Sequence, residues 1–248
     1  MAADLLPPAP SLDSPALRGR FEGTSGAYVR ADASYGSLRA PRPVSTASSS
    51  LSGFRFDGAQ LGSATAFGMG AGYQFNDYAR VDLTGEYRTS ARYNATASYL
   101  DPGSCPTRCS DAYLGAFSSA VLMANGYGEI GSWFDVTPFL GVGLGVARIA
   151  SGPFSLAAAN GHGEGQASGA ARLRLAFALM AGASYDLTPQ IKVETSYRYL
   201  NMGSGQSGAI SCAPATGACA QQAQQVGLGS HDVRIGLRYA IASGSSKD

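Results

Sequence analysis

A strict two-residue alternation, repeated eight times, restricts the fold of this chain more than any other feature. A strand sends successive side chains to opposite faces, so a period of two separates two surfaces. The first run sets Ala27, Val29, Ala31, Ala33 and Tyr35 against Tyr28, Arg30, Asp32 and Ser34. The second sets Phe67, Met69, Ala71, Tyr73 and Phe75 against Gly68, Gly70, Gly72 and Gln74. In the third, Val81, Leu83, Gly85 and Tyr87 alternate with Arg80, Asp82, Thr84, Glu86 and Arg88. A fourth, near 120–130, places Leu122, Ala124 and Ile130 opposite Met123, Asn125, Tyr127 and Glu129. The fifth alternates Leu140, Val142, Leu144 and Val146 with Gly141, Gly143 and Gly145. The sixth sets Phe177, Leu179, Ala181, Ala183 and Tyr185 against Ala178, Met180, Gly182 and Ser184. The seventh sets Ile191, Val193, Thr195, Tyr197 and Tyr199 against Lys192, Glu194, Ser196 and Arg198, and the eighth Val233, Ile235, Leu237 and Tyr239 against Asp232, Arg234, Gly236 and Arg238.

The connections alternate in length. Runs two–three, four–five and six–seven are joined by short turns, while 36–60, 89–118, 150–172 and 201–230 are long and rich in Ser, Gly, Ala and Pro. Alternate connections of an up-and-down barrel lie at the same end. The pattern therefore predicts an all-β, eight-stranded antiparallel transmembrane barrel over 21–241, with short periplasmic turns and long extracellular loops. Residues 1–20 read as a Pro-rich periplasmic tail and 242–248 as a C-terminal tail.

Soluble and membrane barrels both alternate, and the chemistry of the faces separates them. A lipocalin-like barrel has an apolar lumen and a polar wall. Here one parity carries charges of both signs and the other only small aliphatic and aromatic residues. Charged residues make up 14 % of the chain, against about 25 % in an ordinary soluble domain. The only lysines are Lys192 and Lys247. Tyr35, Tyr87 and Tyr197 fall at the loop end of the apolar face and Phe75, Tyr185 and Tyr239 at the turn end, as two interfacial girdles would. The charged face then lines the lumen, where Arg30, Asp32, Arg80, Asp82, Glu86, Arg88, Glu129, Lys192, Glu194, Arg198, Arg234 and Arg238 are expected to pair, since unpaired buried charge is costly.

The segments "LMANGYGEIGSWFDVTPFLGVGLGVARI" and "FALMAGASYDLTPQIKVETSYRYLNMG" resemble the small outer-membrane proteins of alphaproteobacteria, the Brucella and Rhizobium major surface-antigen family within the opacity and OmpA-like barrel superfamily. "HDVRIGLRYAI" is similar to that family's last strand, and the likeness covers most of 21–241. It implies residence in the cell outer membrane, contact with its lipid and lipopolysaccharide, and delivery by the barrel-insertion machinery. Arg234, Gly236, Tyr239 and Ile241 match the insertion signal, with Ile241 replacing the usual aromatic and Ala242–Asp248 running past the usual end. Met1-Ala2-Ala3-Asp4 reads as a mature N-terminus behind a start methionine. Ala2 or Ala3 is the position at which some relatives are thought to be linked to peptidoglycan.

The remaining chemistry is sparse. Cys105 and Cys109 form one close pair and Cys212 and Cys219 another, all in loop-like sequence, which fits local disulfides better than zinc; the connectivity is open among three possibilities. His162 and His231 are the only histidines. Ser230, His231 and Asp232 are consecutive on a strand, so they cannot converge as a triad. No catalytic residues, metal or cofactor are expected. "GMGAG" at 68–72 lies inside an alternating strand and reads as space for neighbouring side chains, not as a phosphate loop. No nucleic-acid motif is present, and the oligomeric state is not encoded in any readable pattern. Two functional classes follow: a structural or surface-interaction barrel with a plugged lumen, and a narrow passive pore through a lining thinned by Gly68, Gly70, Gly72, Gly141, Gly143 and Gly145. Ligand binding at the loops, haem included, is a lesser third.

Overall fold

The computed structural model describes residues 25–39, 43–45, 52–103, 105, 107–158, 164–212 and 223–241. Ala2, Ala3, His162, Cys219 and both expected tails lie outside them. The described residues hold thirteen strands: β1 (Gly26–Arg39), β2 (Val44–Ser45), β3 (Arg55–Leu61), β4 (Ser63–Gln74), β5 (Ala79–Tyr99), β6 (Cys109–Glu129), β7 (Val136–Ser151), β8 (Phe154–Ala158), β9 (Glu164–Ala167), β10 (Ala171–Asp186), β11 (Ile191–Gln206), β12 (Ser211–Cys212) and β13 (Gln224–Ala240).

Eight of them close a ring in the order β1–β4–β5–β6–β7–β10–β11–β13, with β13 bonded back to β1 and every pairing antiparallel. The eight alternating runs are these eight strands. Closure matters because a bilayer core offers no water to an open sheet edge. Leu175, Met69, Leu144 and Ile235 point outward and are 83 %, 73 %, 72 % and 62 % exposed, a wall made for lipid. Both aromatic girdles are exposed on that wall.

The turns are locally determined. Asn76 Oδ1 accepts from the Tyr78 and Ala79 backbone N–H groups, each at 2.9 Å. Thr188 Oγ1 accepts from Ile191 N–H at 3.0 Å. Between β6 and β7, Trp133 and Val136 bond to each other around Phe134 and Asp135, both at positive φ, which gives the tight two-residue geometry that follows the twist of a hairpin.

The long connections differ from the expected irregular loops. β5 and β6 each run 21 residues and extend the wall well past the membrane. β3 continues the line of β4 against β5, while β8, β9 and β12 add successively beyond β6. Two bulges in ring strands reset parity. One lies between Arg88 and Ala91 on β5 and the other between Asn201 and Ser204 on β11, where Gly203 has φ 76°. Beyond the first, polarity inverts. Ala91, Tyr93, Ala95 and Ala97 point inward and are buried, while Arg92, Asn94 and Thr96 point to water. A wall facing lipid must be apolar outside, and a wall facing water must be apolar inside.

Candidate functional site

The lumen is filled in two stories, ionic below and apolar above. Short-turn ends bring Arg80, Arg238 and Glu129 to the periplasmic mouth. Arg80 Nε bonds Glu129 Oε1 at 2.8 Å and its Nη2 lies 3.1 Å from Glu194 Oε1. Arg30 Nη1 reaches Asp82 Oδ2 at 3.0 Å and its Nη2 lies 3.3 Å from Glu194 Oε2. Arg238 completes this layer at 3.4 Å from both Glu129 and Glu194. Asn125 Nδ2 donates to Asp82 Oδ1 at 2.7 Å, and the Arg80 guanidinium lies 3.8 Å from the centre of the Tyr127 ring.

Above them Arg234 Nη2 meets Asp32 Oδ1 at 2.5 Å. Higher still, Arg88 holds Asp232 with two bonds, of 3.0 and 2.7 Å, and Arg198 Nη2 bonds Asp232 Oδ2 at 2.6 Å and Glu86 Oε1 at 2.8 Å. Six arginines thus face six carboxylates, and each layer is neutral: three against three, one against one, two against two. All twelve are buried. Neutral layers are the arrangement that low dielectric demands, because any unmatched charge would remain unsolvated.

Eleven of the twelve residues assigned to the lumen from sequence meet in these layers. Lys192 does not. It sits at the periplasmic rim, partly exposed, and its Nζ pairs with Asp186 at 2.6 Å. The twelfth place belongs to Asp232, whose parity matched Arg234 and Arg238 all along. Tyr28, Asn125, Tyr127 and Ser230 also take part, and their neutral side chains carried no signal beyond parity.

Several lumen glycines are closely approached by neighbouring side chains. A Cβ on Gly141 would lie 2.6 Å from the Tyr127 ring, one on Gly72 2.5 Å from Tyr28, and one on Gly68 3.0 Å from Asp32. Neighbouring side chains occupy the space that these glycines free.

The upper story is an apolar core. Tyr93, Phe117 and Phe154 form a triangle of rings with centroids 5.5–5.9 Å apart. Ile149, Leu200, Met202, Ile210, Val226 and Leu228 pack with them, all nearly inaccessible. Phe154 from β8 and Ile210 beside β12 come from the third and fourth long connections, so those connections contribute side chains to the core at the extracellular end. At the tip, Cys105 and Cys109 are disulfide-bonded. Nearby, burial pushes the Asp111 carboxyl up to about 6, against the pull of hydrogen bonds from Tyr99 and Tyr113.

Ser230 and Asp232 point inward, bonded to each other, whereas His231 points outward and bonds the Tyr197 hydroxyl at 2.5 Å. These three do not converge. Among the described residues no group of three or more His, Cys, Asp and Glu side chains is placed to hold a metal. Of the insertion-signal residues, Arg234 is buried in the lumen while Tyr239 and Ile241 face outward. Ile241 N–H bonds Ala27 O at 2.8 Å, tying the end of the last strand to the first.

A closed barrel with an apolar outer belt, two aromatic girdles and a neutralised ionic interior defines an integral outer-membrane protein. The profile of the outer membrane protein beta-barrel domain matches residues 16–231, and the chain belongs to that family. An uncharacterized protein of Brucella abortus is 32 % identical over 205 residues, covering 75 % of this chain and 72 % of its own. An uncharacterized Brucella melitensis protein is 32 % identical over 203 residues, with the same coverages. Among solved structures, the outer membrane protein OprG from Pseudomonas aeruginosa superimposes with a TM-score of 0.51 at 14 % identity, over 88 % of this chain and 97 % of that one. That likeness establishes the fold.

Proposed function

We propose that this outer-membrane protein is a non-catalytic, non-conducting barrel that supports the envelope and presents an ordered extracellular surface to partners. The observation that carries the reading is the double closure of the interior: neutral ion layers at membrane depth and a packed apolar core above them. An ion crossing would have to break carboxylate–guanidinium pairs and then traverse a region without polar partners. A wide aqueous channel needs about 16–18 strands; eight leave room only for side chains.

The extracellular wall supports the second half of the reading. Strands project from the barrel and end in a disulfide-tied tip, so their outward residues are held on a rigid frame. Partner-binding residues commonly occupy segments positioned by such a scaffold. Planar-bilayer recording of the full chain tests closure. Steady silence is expected; reproducible single-channel steps from the unaltered protein would overturn the reading in favour of a narrow pore.

A further inference from the structure

At the periplasmic mouth, Lys192 on β11 lies directly opposite Arg238 on β13, and both share the inward parity. Like charges placed opposite each other on adjacent strands repel. The two cations are held unequally. Arg238 is buried, with its Nε 3.4 Å from Glu194 Oε1 and its Nη1 3.2 Å from Gln74 Oε1 and 3.4 Å from Glu129 Oε1. Its Nη2 is buried as well and has no hydrogen-bond acceptor among the described residues. A donor buried without an acceptor carries the full desolvation cost of the group. Lys192 has its Nζ 2.6 Å from Asp186 Oδ1, a contact that takes one of the three N–H groups an ammonium offers.

Both residues line a cavity of about 200 Å³ bounded by the start of β1, the turn between β10 and β11, and the end of β13. Tyr28, Pro189, Ala240 and Ile241 give it an apolar wall beside the two cations. The described residues that line it include no Asp or Glu. An apolar cavity of about 150 Å³ takes a six-carbon ring, so this one has room for a charged group and a short chain. The cavity thus offers donors from two strands, one of them orphaned, and presents no anion of its own.

We infer that this cavity binds a short-chain carboxylate from the periplasm, its two oxygens shared between Arg238 Nη2 and Lys192 Nζ and its chain against Pro189, Ala240 and Ile241. A carboxylate there gives the orphaned guanidinium N–H its acceptor and separates the two like charges with a negative one. Hydrogen bonds between ionised partners are the strong kind. Glu194, Glu129 and Gln74 already engage Nε and Nη1 of Arg238, so the guanidinium has one nitrogen to give rather than a fork. One donor from each of two strands suits the two oxygens of a carboxylate better than the three or four of a phosphate. Asp186 holds Lys192 when the cavity is empty and competes with the ligand for it. The inference concerns the periplasmic mouth alone and is independent of whether the lumen conducts.

The test titrates the full chain, in nonionic detergent micelles, with sodium butyrate, sodium acetate, 1-butanol and inorganic phosphate, read by saturation-transfer NMR of the added molecule. Butyrate should bind about ten-fold more tightly than acetate, because two methylenes gain the apolar wall, and at least as far above uncharged butanol. Lys192→Gln should weaken butyrate about ten-fold. Asp186→Asn should tighten it about three-fold or more, since it releases Lys192 to the ligand; a gain of that kind cannot come from a damaged fold. Butanol or phosphate binding as well as butyrate, no butyrate binding at all, or an affinity that Asp186→Asn leaves unchanged or lowers, overturns the proposal. Should Lys192→Gln fail to fold, the unaltered protein and Asp186→Asn decide the matter.

Discussion

Arg88 and Asp232 are joined by two hydrogen bonds, 3.0 and 2.7 Å, although β4 and β1 stand between their strands in the ring. The pair crosses the lumen and braces non-adjacent walls, a constraint that backbone pairing alone cannot supply. Asp232 also receives Arg198, so one carboxylate holds two guanidinium groups. Asp232→Asn would leave two arginines sharing Glu86. A loss of about 3–5 kcal/mol is expected, as for other broken buried pairs. Urea unfolding in detergent micelles, followed by tryptophan fluorescence, would measure it; an unchanged midpoint would contradict the bracing role.

The periplasmic layer leads to a second expectation. Arg80 fills the space beside Tyr127 and neutralises Glu129 and Glu194. Arg80→Ala removes one of the three arginines of the layer and leaves it with net negative charge. The variant should show lower stability and a small cation-selective leak at that end, visible as raised proton or potassium flux into liposomes if the apolar core is also loosened by Phe117→Ala. Single Arg80→Ala should stay closed, because the upper story still seals. A leak from the single variant would assign closure to the ions alone.

Glycine positions separate filled space from free surface. Gly141→Ala forces the Tyr127 ring from its place over Arg80 and should cost about 1–3 kcal/mol, the usual range for overpacking. Gly85→Ala adds a methyl with nothing within 4 Å and should fall within about 0.5 kcal/mol of the unaltered protein. Heat-modified gel mobility across a temperature series would rank the two.

Asp111 makes extracellular stability pH-dependent. Its carboxyl is raised to about 6 by burial, whereas an unfolded chain releases that proton near 4. The folded protein binds the extra proton in that window, so unfolding free energy falls as pH rises from about 4 to about 6. Asp111→Asn should flatten this part of the profile. Denaturation midpoints at several pH values for both proteins, compared as differences, isolate the effect from other groups.

Much of this architecture was legible in the alternation. Eight runs became eight barrel strands, and the sign of each face followed from where arginine and aromatic residues fell. What escaped has physical causes. Ala91 to Ala97 alternates as clearly as Val81 to Tyr87, but the bulge after Arg88 shifts its parity and the passage from lipid to water inverts its polarity. A reading tuned to apolar-outside strands therefore ends at Arg88. Lys192 shares parity with the lumen residues yet lies one position into β11, where the barrel is already open to water and Asp186 is close. Asp232 shares the inward parity of Arg234 and Arg238, but beside Ser230 and His231 it also fits the composition of a catalytic cluster. The filling of Gly72 and Gly141 by Tyr28 and Tyr127 depends on pairing register between strands, which no single run contains.

The polarity inversion along β5 has a consequence for how such a surface changes over generations. In the extension, Tyr93, Ala95 and Ala97 are locked by the core, while Arg92, Asn94 and Thr96 are exposed on the outer face. Every second residue can change without disturbing the packing beneath. Diversity in the exposed face should then accumulate as a comb with two-residue teeth, leaving a constant skeleton under a changing coat.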